Sequence, residues 1–160
     1  MLNGFPPIES QDATILILGT GPSVRSLQKQ QYYGHERNAF WAIMDRFFKT
    51  KSETYEQKWY LLQGHGIALW DVLSSFDRKG SLDSAYSIVE PNDLKTFIQE
   101  HGKIERILFN GKQAEAFYKK YVAFYPQGIT FKALPSTSPA YTLAFEEKAR
   151  IWGEALEGRP

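Results

Sequence analysis

Hydrophobic residues follow two patterns along the chain, and together these predict strands that alternate with helices. Continuous apolar runs are typical of strands buried on both faces, as in a parallel sheet. Such a run occurs at residues 14–18, and shorter or less uniform apolar segments at 67–70, 106–109 and 129–134 are also predicted to be strands. Elsewhere, apolar residues recur at spacings of three and four, which predicts amphipathic helices. The predicted helices cover residues 40–48, 55–65, 91–101, 114–122 and 145–156.

This alternation predicts an α/β fold in three layers, α/β/α, around a central, mostly parallel sheet of four strands. A chain of 160 residues has the length of one domain, so we expect residues 1–160 to form a single domain. Residues 71–89 follow neither period and predict a long surface loop. Ligands of such sheets bind beyond the carboxyl ends of the strands, which directs attention to the loops at 19–35, 110–112 and 135–141.

Composition and charge narrow the classes of function. The chain is 42% hydrophobic and 15% aromatic, which excludes a disordered protein. Its formal net charge is +1, so a nucleic-acid site would have to be local, as in the basic stretch 103–120. The absence of cysteine excludes disulfides and thiolate nucleophiles and favours a reducing compartment, for which we take the cytoplasm. With no signal-peptide pattern and no apolar run near ~20 residues, we expect a soluble protein without a membrane partner.

The turn after the first predicted strand is rich in glycine but does not fit a nucleotide site well. A dinucleotide fingerprint would require a third glycine at the position of Val24, and Pro22 has no N–H to offer a phosphate. A dedicated metal site is also not expected, because the three histidines are scattered. They are His35, His65 and His101.

Two other segments combine aromatic and polar side chains in unusual density. Residues 32–41 read YYGHERNAFW, a combination suited to stacking on and hydrogen-bonding a flat polar ring. In residues 134–140, LPSTSPA, three consecutive hydroxyls between two prolines suit phosphate oxygens. A purely structural interpretation stays open for both segments, with Asn38 capping a helix and the serines and threonine forming an ordinary loop.

The ordered set of motifs resembles the uracil-DNA glycosylase superfamily and, within it, the hypoxanthine-DNA glycosylase family. The resemblance runs from about Phe5 to Trp152. The motifs that carry it are LILGTGPS at 16–23 with Ser26 and Leu27, YYGHERNAFW at 32–41, Trp70 and Asp71, Arg78 with GSLD at 80–83, FNGK at 109–112, and LPSTSPA at 134–140.

The resemblance implies a monofunctional DNA N-glycosylase that flips out and hydrolytically releases hypoxanthine, with uracil as a further candidate base. It implies a monomer that acts on damaged DNA without a cofactor, a metal or an obligate protein partner. Most branches of the superfamily place an Asp or Asn in the first motif, where this chain has Gly21. In the hypoxanthine branch the catalytic amide comes from the Asn before Phe-Trp, which is Asn38.

The remaining candidate site residues follow from the same motifs. For the flipped base they are Gly19, Gly21, Pro22, Tyr33, His35 and Phe40, with Tyr32 as a further stacking candidate. For the DNA backbone and the gap left by the base they are Ser23, Ser26, Lys112, Ser136, Thr137, Ser138 and Tyr141.

Three alternatives remain at this point. The first is a mismatch-specific uracil-DNA glycosylase, and the second is a non-catalytic nucleic-acid-binding module of the same fold, suggested by Gly21 in the usual catalytic position. The third is a cofactor-dependent α/β enzyme that uses the turn at 19–23.

Overall fold

A computed structural model describes residues 1–79 and 86–158. In chain order its elements are β1 (Leu2–Asn3), β2 (Ile15–Gly19), α1 (Val24–Lys29), α2 (Phe40–Phe48), α3 (Tyr55–Gly64), β3 (Ile67–Asp71), β4 (Leu73–Arg78), β5 (Tyr86–Pro91), α4 (Leu94–Glu100), β6 (Arg106–Asn110), α5 (Lys112–Tyr121), β7 (Thr130–Leu134) and α6 (Phe145–Glu157).

The centre of the molecule is a parallel sheet of four strands in the order β3, β2, β6, β7. All five residues of β2 are buried because helices cover both faces of the sheet. In the register of the sheet, Gly19 at the end of β2 lies opposite Asp71 at the end of β3. The predicted three-layer fold with a four-stranded parallel sheet is confirmed.

Successive side chains of each strand enter two separate cores, one on each face of the sheet. Ile15 and Ile17 pack on one face with residues of α2 and α6. Leu16 and Leu18 pack on the other face with residues of α4 and α5. The candidate segment around Tyr33 and Phe40 belongs to the first of these faces.

The predicted loop at 71–89 is wrong, because much of it forms a second sheet. Strand β4 pairs antiparallel with both β1 and β5. It buries only Leu73 and Phe76, which are three residues apart, and its pairing with β5 shifts register after Leu73. This irregularity removes the period of two by which a strand is recognised in a sequence.

One helix was not predicted, and the start of another differs from its prediction. The predicted loop at 19–35 contains the six-residue helix α1, whose first turn is capped by Ser23. Helix α4 begins at Leu94 after the Asp93 cap, because Pro91 is still the last residue of β5. Within the described ranges, no helix is long and apolar enough to cross a membrane.

Candidate active site

The carboxyl ends of the four parallel strands bring the sequence motifs to one edge of the sheet. The last residues of β2, β3, β6 and β7 are Gly19, Asp71, Asn110 and Leu134. The loops that follow β2 and β7 are those predicted to contact the base and the DNA. Hydrogen bonds and ring contacts tie the turn before α2 to these loops.

Asn38 lies in this turn, two residues before the first residue of α2. Its N–H donates to the carbonyl of His35 at 2.9 Å, and its Oδ1 accepts the N–H of Phe40 at 3.0 Å. Its Nδ2 donates no hydrogen bond within residues 1–79 and 86–158. The side chain therefore supports the start of the helix, as the structural interpretation expected, and retains an Nδ2 donor and one lone pair of Oδ1.

The aromatic residues of the segment differ in what they present. Phe40 is fully buried, and the ring of Tyr33 covers it at a centroid distance of 4.3 Å. Tyr32 is also buried, and its hydroxyl donates to the carbonyl of Pro6 at 2.8 Å. Tyr33 has a φ of 53°, a conformation that non-glycine residues rarely adopt and that is often found at functional sites. Of the three rings, Tyr33 lies closest to the end of β2.

Close packing explains both glycines of the first motif. A Cβ on Gly19 would lie 2.5 Å from Asp71 Oδ1 and 2.8 Å from the Tyr33 hydroxyl. A Cβ on Gly21 would lie 2.9 Å from the ring of Phe76. Phe76 thus fills the space that an Asp or Asn side chain of the first motif would need. Arg78 fixes the same turn, because its Nη2 donates to the Pro22 carbonyl at 2.7 Å.

Asp71 is a site residue that the sequence reasoning did not select. Its side chain is 3% exposed and accepts no hydrogen bond from the described part of the chain. Burial raises the pKa of this carboxyl to about 7, against the opposing effect of the nearby Arg78 guanidinium. The neighbouring Tyr33 hydroxyl is also buried and has no hydrogen-bond partner there. Burial and the Asp71 charge raise its pKa, against the opposing effect of the nearby Asn110 side chain, so the hydroxyl stays neutral.

Asn110 was also missed, and it has a different role. Its Nδ2 donates to Thr137 Oγ1 and its Oδ1 accepts the Thr137 N–H, both at 2.9 Å. The Thr137 carbonyl in turn accepts the N–H of Ala39 at 3.0 Å. We call Asn110 and Thr137 the clasp, since they join β6, the loop at 135–141 and the turn that holds Asn38. Two signals could have selected both residues: each lies in a motif that carries the resemblance, and each is the last residue of a buried strand.

Two residues predicted to contact DNA have side chains that are buried inside the protein. Thr137 is 1% exposed and belongs to the clasp. Ser26 is 2% exposed, and its Oγ accepts the N–H of Gly34 at 2.9 Å. Both hydroxyls hold loops together inside the protein. His35 also has an internal contact, because its Nδ1 accepts the N–H of Arg37 at 3.0 Å.

The other predicted DNA contacts lie at the surface of the same sheet edge. Tyr141 is 48% exposed, and Ser136 and Ser138 are partly exposed on the same loop. The buried Lys148 supports this loop, since its Nζ donates to the Ser138 carbonyl at 3.0 Å and lies 5.5 Å from the Tyr141 ring. Lys112 is exposed in the first turn of α5, and Ser23 precedes α1. The motif at 80–83 lies outside the described residues.

The local basic surface is smaller than the sequence count suggested. Lys103 pairs with Asp12 at 2.6 Å. Arg106 donates to carbonyls near the end of α6, among them Leu156 at 3.1 Å. The exposed basic residues of the stretch that remain are those of α5, namely Lys112, Lys119 and Lys120.

Comparison with known proteins agrees with this arrangement. Residues 6–156 match the family model described as the uracil DNA glycosylase superfamily. A hypoxanthine DNA glycosylase of Methanosarcina acetivorans is 36% identical over 93% of this chain and 94% of its own length. One of Methanosarcina barkeri is 31% identical over 96% and 97%. The solution NMR structure of a candidate uracil DNA glycosylase from M. acetivorans superimposes with a TM-score of 0.78 at 33% identity, covering 97% of this chain and 98% of that one. The chain belongs to the uracil DNA glycosylase superfamily.

Proposed function

We propose that this protein is a monofunctional DNA N-glycosylase that hydrolytically releases hypoxanthine from DNA. The observation that carries the proposal is the nearly full-length similarity to two proteins named hypoxanthine DNA glycosylase. The geometry supports it, since the motif residues that bear polar side chains converge on one edge of the sheet. An N-glycosidic bond inside a duplex is inaccessible, so the enzyme must first flip the nucleotide out, at a cost of a few kcal/mol that a mispaired base reduces.

Asn38 is the catalytic residue of the proposal. Its Oδ1 already accepts one hydrogen bond, from the Phe40 N–H, which fixes the orientation of the amide. The second lone pair of Oδ1 can accept a hydrogen bond from a water molecule and direct that water at C1′ of the sugar. As the bond between C1′ and the base nitrogen breaks, the water oxygen bonds to C1′, and the base takes up a proton as it leaves.

Gly21 does not argue against this assignment. The ring of Phe76 occupies the space beside Gly21, so the first motif has no room for a water-positioning side chain. The clasp instead holds the Asn38 turn against the loop at 135–141 through the bond between Ala39 and Thr137. A preorganised amide in this position fits the catalytic role that the resemblance to the hypoxanthine branch implies for Asn38.

For the DNA backbone we propose Ser23, Lys112, Ser136 and Ser138, with Tyr141 entering the gap that the flipped base leaves. Hydroxyl and lysine contacts to phosphate position a protein on DNA without reading its sequence. The exposure of Tyr141 and the three exposed lysines of α5 support this assignment. Because few cations are involved, we expect a shallow dependence of DNA affinity on salt.

A second candidate substrate is uracil, which is favoured by the structural neighbour described as a candidate uracil DNA glycosylase. A panel of duplexes that carry deoxyinosine, deoxyuridine opposite guanine, or undamaged bases distinguishes the candidates. We expect release of hypoxanthine from the deoxyinosine duplex. Release of uracil alone would favour the mismatch-specific alternative, and DNA binding without any release would favour the non-catalytic module.

The domain organisation, the oligomeric state, the location and the cofactor requirement of the protein can be proposed as well. We propose a single domain over residues 1–160 that acts as a monomer in the cytoplasm, without a metal, a cofactor or an obligate partner. The lack of cysteine supports a reducing compartment, and the family match over residues 6–156 supports a single domain. Light scattering on the purified protein tests the monomer, and full activity in excess chelator tests the independence from metal.

A further inference from the structure

Two buried polar groups face the same point at the end of β2 without protein partners. Asp71 Oδ1 and the Tyr33 hydroxyl both lie within 3 Å of the position that a Gly19 Cβ would take. The Tyr33 hydroxyl is buried without a hydrogen-bond partner in the described ranges, although the Asn110 side chain is close enough to lower its pKa. The Asp71 carboxyl, which is 3% exposed, accepts no hydrogen bond from the same residues. Buried polar groups are nearly always hydrogen-bonded, so an adjacent pair of unsatisfied groups points to a ligand. We call Asp71 and Tyr33 the open pair.

The surroundings of Asp71 favour its protonated form near neutral pH. The titratable and charged groups that face it are the phenols of Tyr32 and Tyr33, the phenol of Tyr55 in α3, and the Arg78 guanidinium in β4. Burial raises the carboxyl pKa to about 7, and Arg78 keeps it from rising further. A carboxylic acid held in this way can donate a proton at neutral pH, as acids in apolar pockets of enzymes do.

When Asp71 is protonated, the open pair offers two O–H donors side by side. Phe40 holds one face of the Tyr33 ring, so Tyr33 presents its hydroxyl to this point. The matching ligand has two adjacent acceptors. A purine with an oxygen at C6 has such an edge, because N7 and O6 are both acceptors.

We propose that Asp71 is the general acid of base release, donating its proton to N7 of a flipped 6-oxopurine while the Tyr33 hydroxyl donates to O6. This inference rests on the proposed function and names the edge of the base that the enzyme reads. In the step, the C1′–N9 bond breaks and its electron pair passes into the purine ring. The Asp71 proton bonds to N7, and water supplies the oxygen that bonds to C1′. The Asp71 carboxylate that remains lies near Arg78 and regains a proton from the attacking water.

The same pattern of donors explains the choice between bases. Adenine carries an amino group at C6, so the Tyr33 hydroxyl would have to turn and accept from it, and could no longer donate to the departing base. Uracil has no pair of adjacent acceptors equivalent to N7 and O6. Guanine presents the same edge as hypoxanthine, but its pairing with cytosine opposes extrusion from the duplex. The open pair therefore selects deaminated adenine over adenine and over uracil.

The test is the single-turnover rate of hypoxanthine release as a function of pH, from about pH 5 to about pH 9. For the wild type we expect a plateau at low pH and a fall of about tenfold per pH unit above the Asp71 pKa. For Asp71→Asn, we expect a rate at least ~100-fold lower on the plateau and no fall across that range. Asp77→Asn makes the same chemical change on a partly exposed side chain of β4 and serves as the matched control.

A modified substrate tests the contact at N7 directly. In 7-deazadeoxyinosine a carbon replaces N7, so the proton has no acceptor. We expect wild type and Asp71→Asn to cleave this substrate at equal, low rates. Wild-type cleavage at the rate of deoxyinosine, or an Asp71→Asn variant that folds, binds DNA and keeps the wild-type pH profile, would overturn the role of Asp71. If wild type released no hypoxanthine at any pH, the proposed function itself would fail.

Discussion

Two pairs of polar residues lie at the carboxyl edge of the parallel sheet, and they differ in whether their polar groups are satisfied. In the clasp, Asn110 and Thr137 satisfy each other through two hydrogen bonds of 2.9 Å. In the open pair, the Asp71 side chain is as deeply buried, while Tyr33 is partly exposed and buries its hydroxyl. Among the described residues, the Tyr33 hydroxyl has no hydrogen-bond partner and the Asp71 carboxyl accepts no hydrogen bond. A satisfied polar pair fixes a structure, whereas an unsatisfied pair costs stability unless a ligand completes it. We therefore assign architecture to the clasp and chemistry to the open pair.

The largest effect is expected at Asn38, which the clasp holds in place and which keeps free hydrogen-bonding capacity like the open pair. Asn38→Ala should lower single-turnover release of hypoxanthine by ~10²–10⁴-fold, because the attacking water loses its orientation. Binding of the deoxyinosine duplex should weaken only slightly, as a fluorescence anisotropy titration can show. Asn3→Ala, at an exposed asparagine of β1, is the matched control. An unchanged rate in Asn38→Ala would remove Asn38 from its role.

Removing either residue of the clasp should lower the stability of the fold. Asn110→Ala leaves the Thr137 N–H buried without an acceptor, so we expect unfolding in urea to cost about 1–3 kcal/mol less. Thr137→Val removes only the hydroxyl of the pair, so we expect a smaller loss of stability than for Asn110→Ala. Because the two residues share their bonds, the double variant should lose less than the sum of the two single variants. Additive losses would show that the clasp does not act as a unit.

In the open pair, by contrast, removing the polar group should increase the free energy of unfolding. The pKa of Asp71 is raised in the folded state to about 7 from an ordinary 3.8, so the native protein binds more protons and loses stability as pH rises between these values. Asp71→Asn removes the buried charge, and we expect it to stabilise the protein at about pH 8 by on the order of 2 kcal/mol, and by much less at about pH 5. Urea unfolding at both pH values measures this. Destabilisation at about pH 8 would mean that the carboxylate has a structural partner.

The smallest effect is expected at Lys148, another buried polar residue, which supports the loop at 135–141 that we propose to contact DNA. Its ammonium donates to the Ser138 carbonyl and faces the Tyr141 ring, and burial lowers its pKa. Lys148→Met keeps the packing but loses both contacts, so affinity for the duplex should fall about threefold. The rate of release from saturated complex should stay within about twofold, since Lys148 does not face the base. A loss of rate at saturation would place Lys148 closer to the chemistry.

Some features of the fold and the site could be predicted from the sequence, whereas others depend on three-dimensional packing. The apolar run of β2 predicted a buried strand because hydrophobicity alone specifies such a strand. Asn38 could be selected because it lies in a recognisable sequence motif at 32–41. Strand β4 was not predictable because its two buried residues lack the period of a strand. Asp71 was not selected as a site residue because its proposed role depends on its burial and on the lack of a hydrogen bond to its carboxyl. Both are properties of three-dimensional packing. The burial of Ser26 and Thr137 was not predictable for the same reason, since serine and threonine suit both DNA contacts and buried hydrogen bonds between loops.

The most direct test of the assignment of chemistry to the open pair is the single-turnover release of hypoxanthine at about pH 6 by Asp71→Asn and wild type. The account predicts a rate at least ~100-fold lower for the variant, with an unfolding free energy equal to or above that of wild type. A variant that is as stable as wild type and releases hypoxanthine within about twofold of its rate would contradict the account.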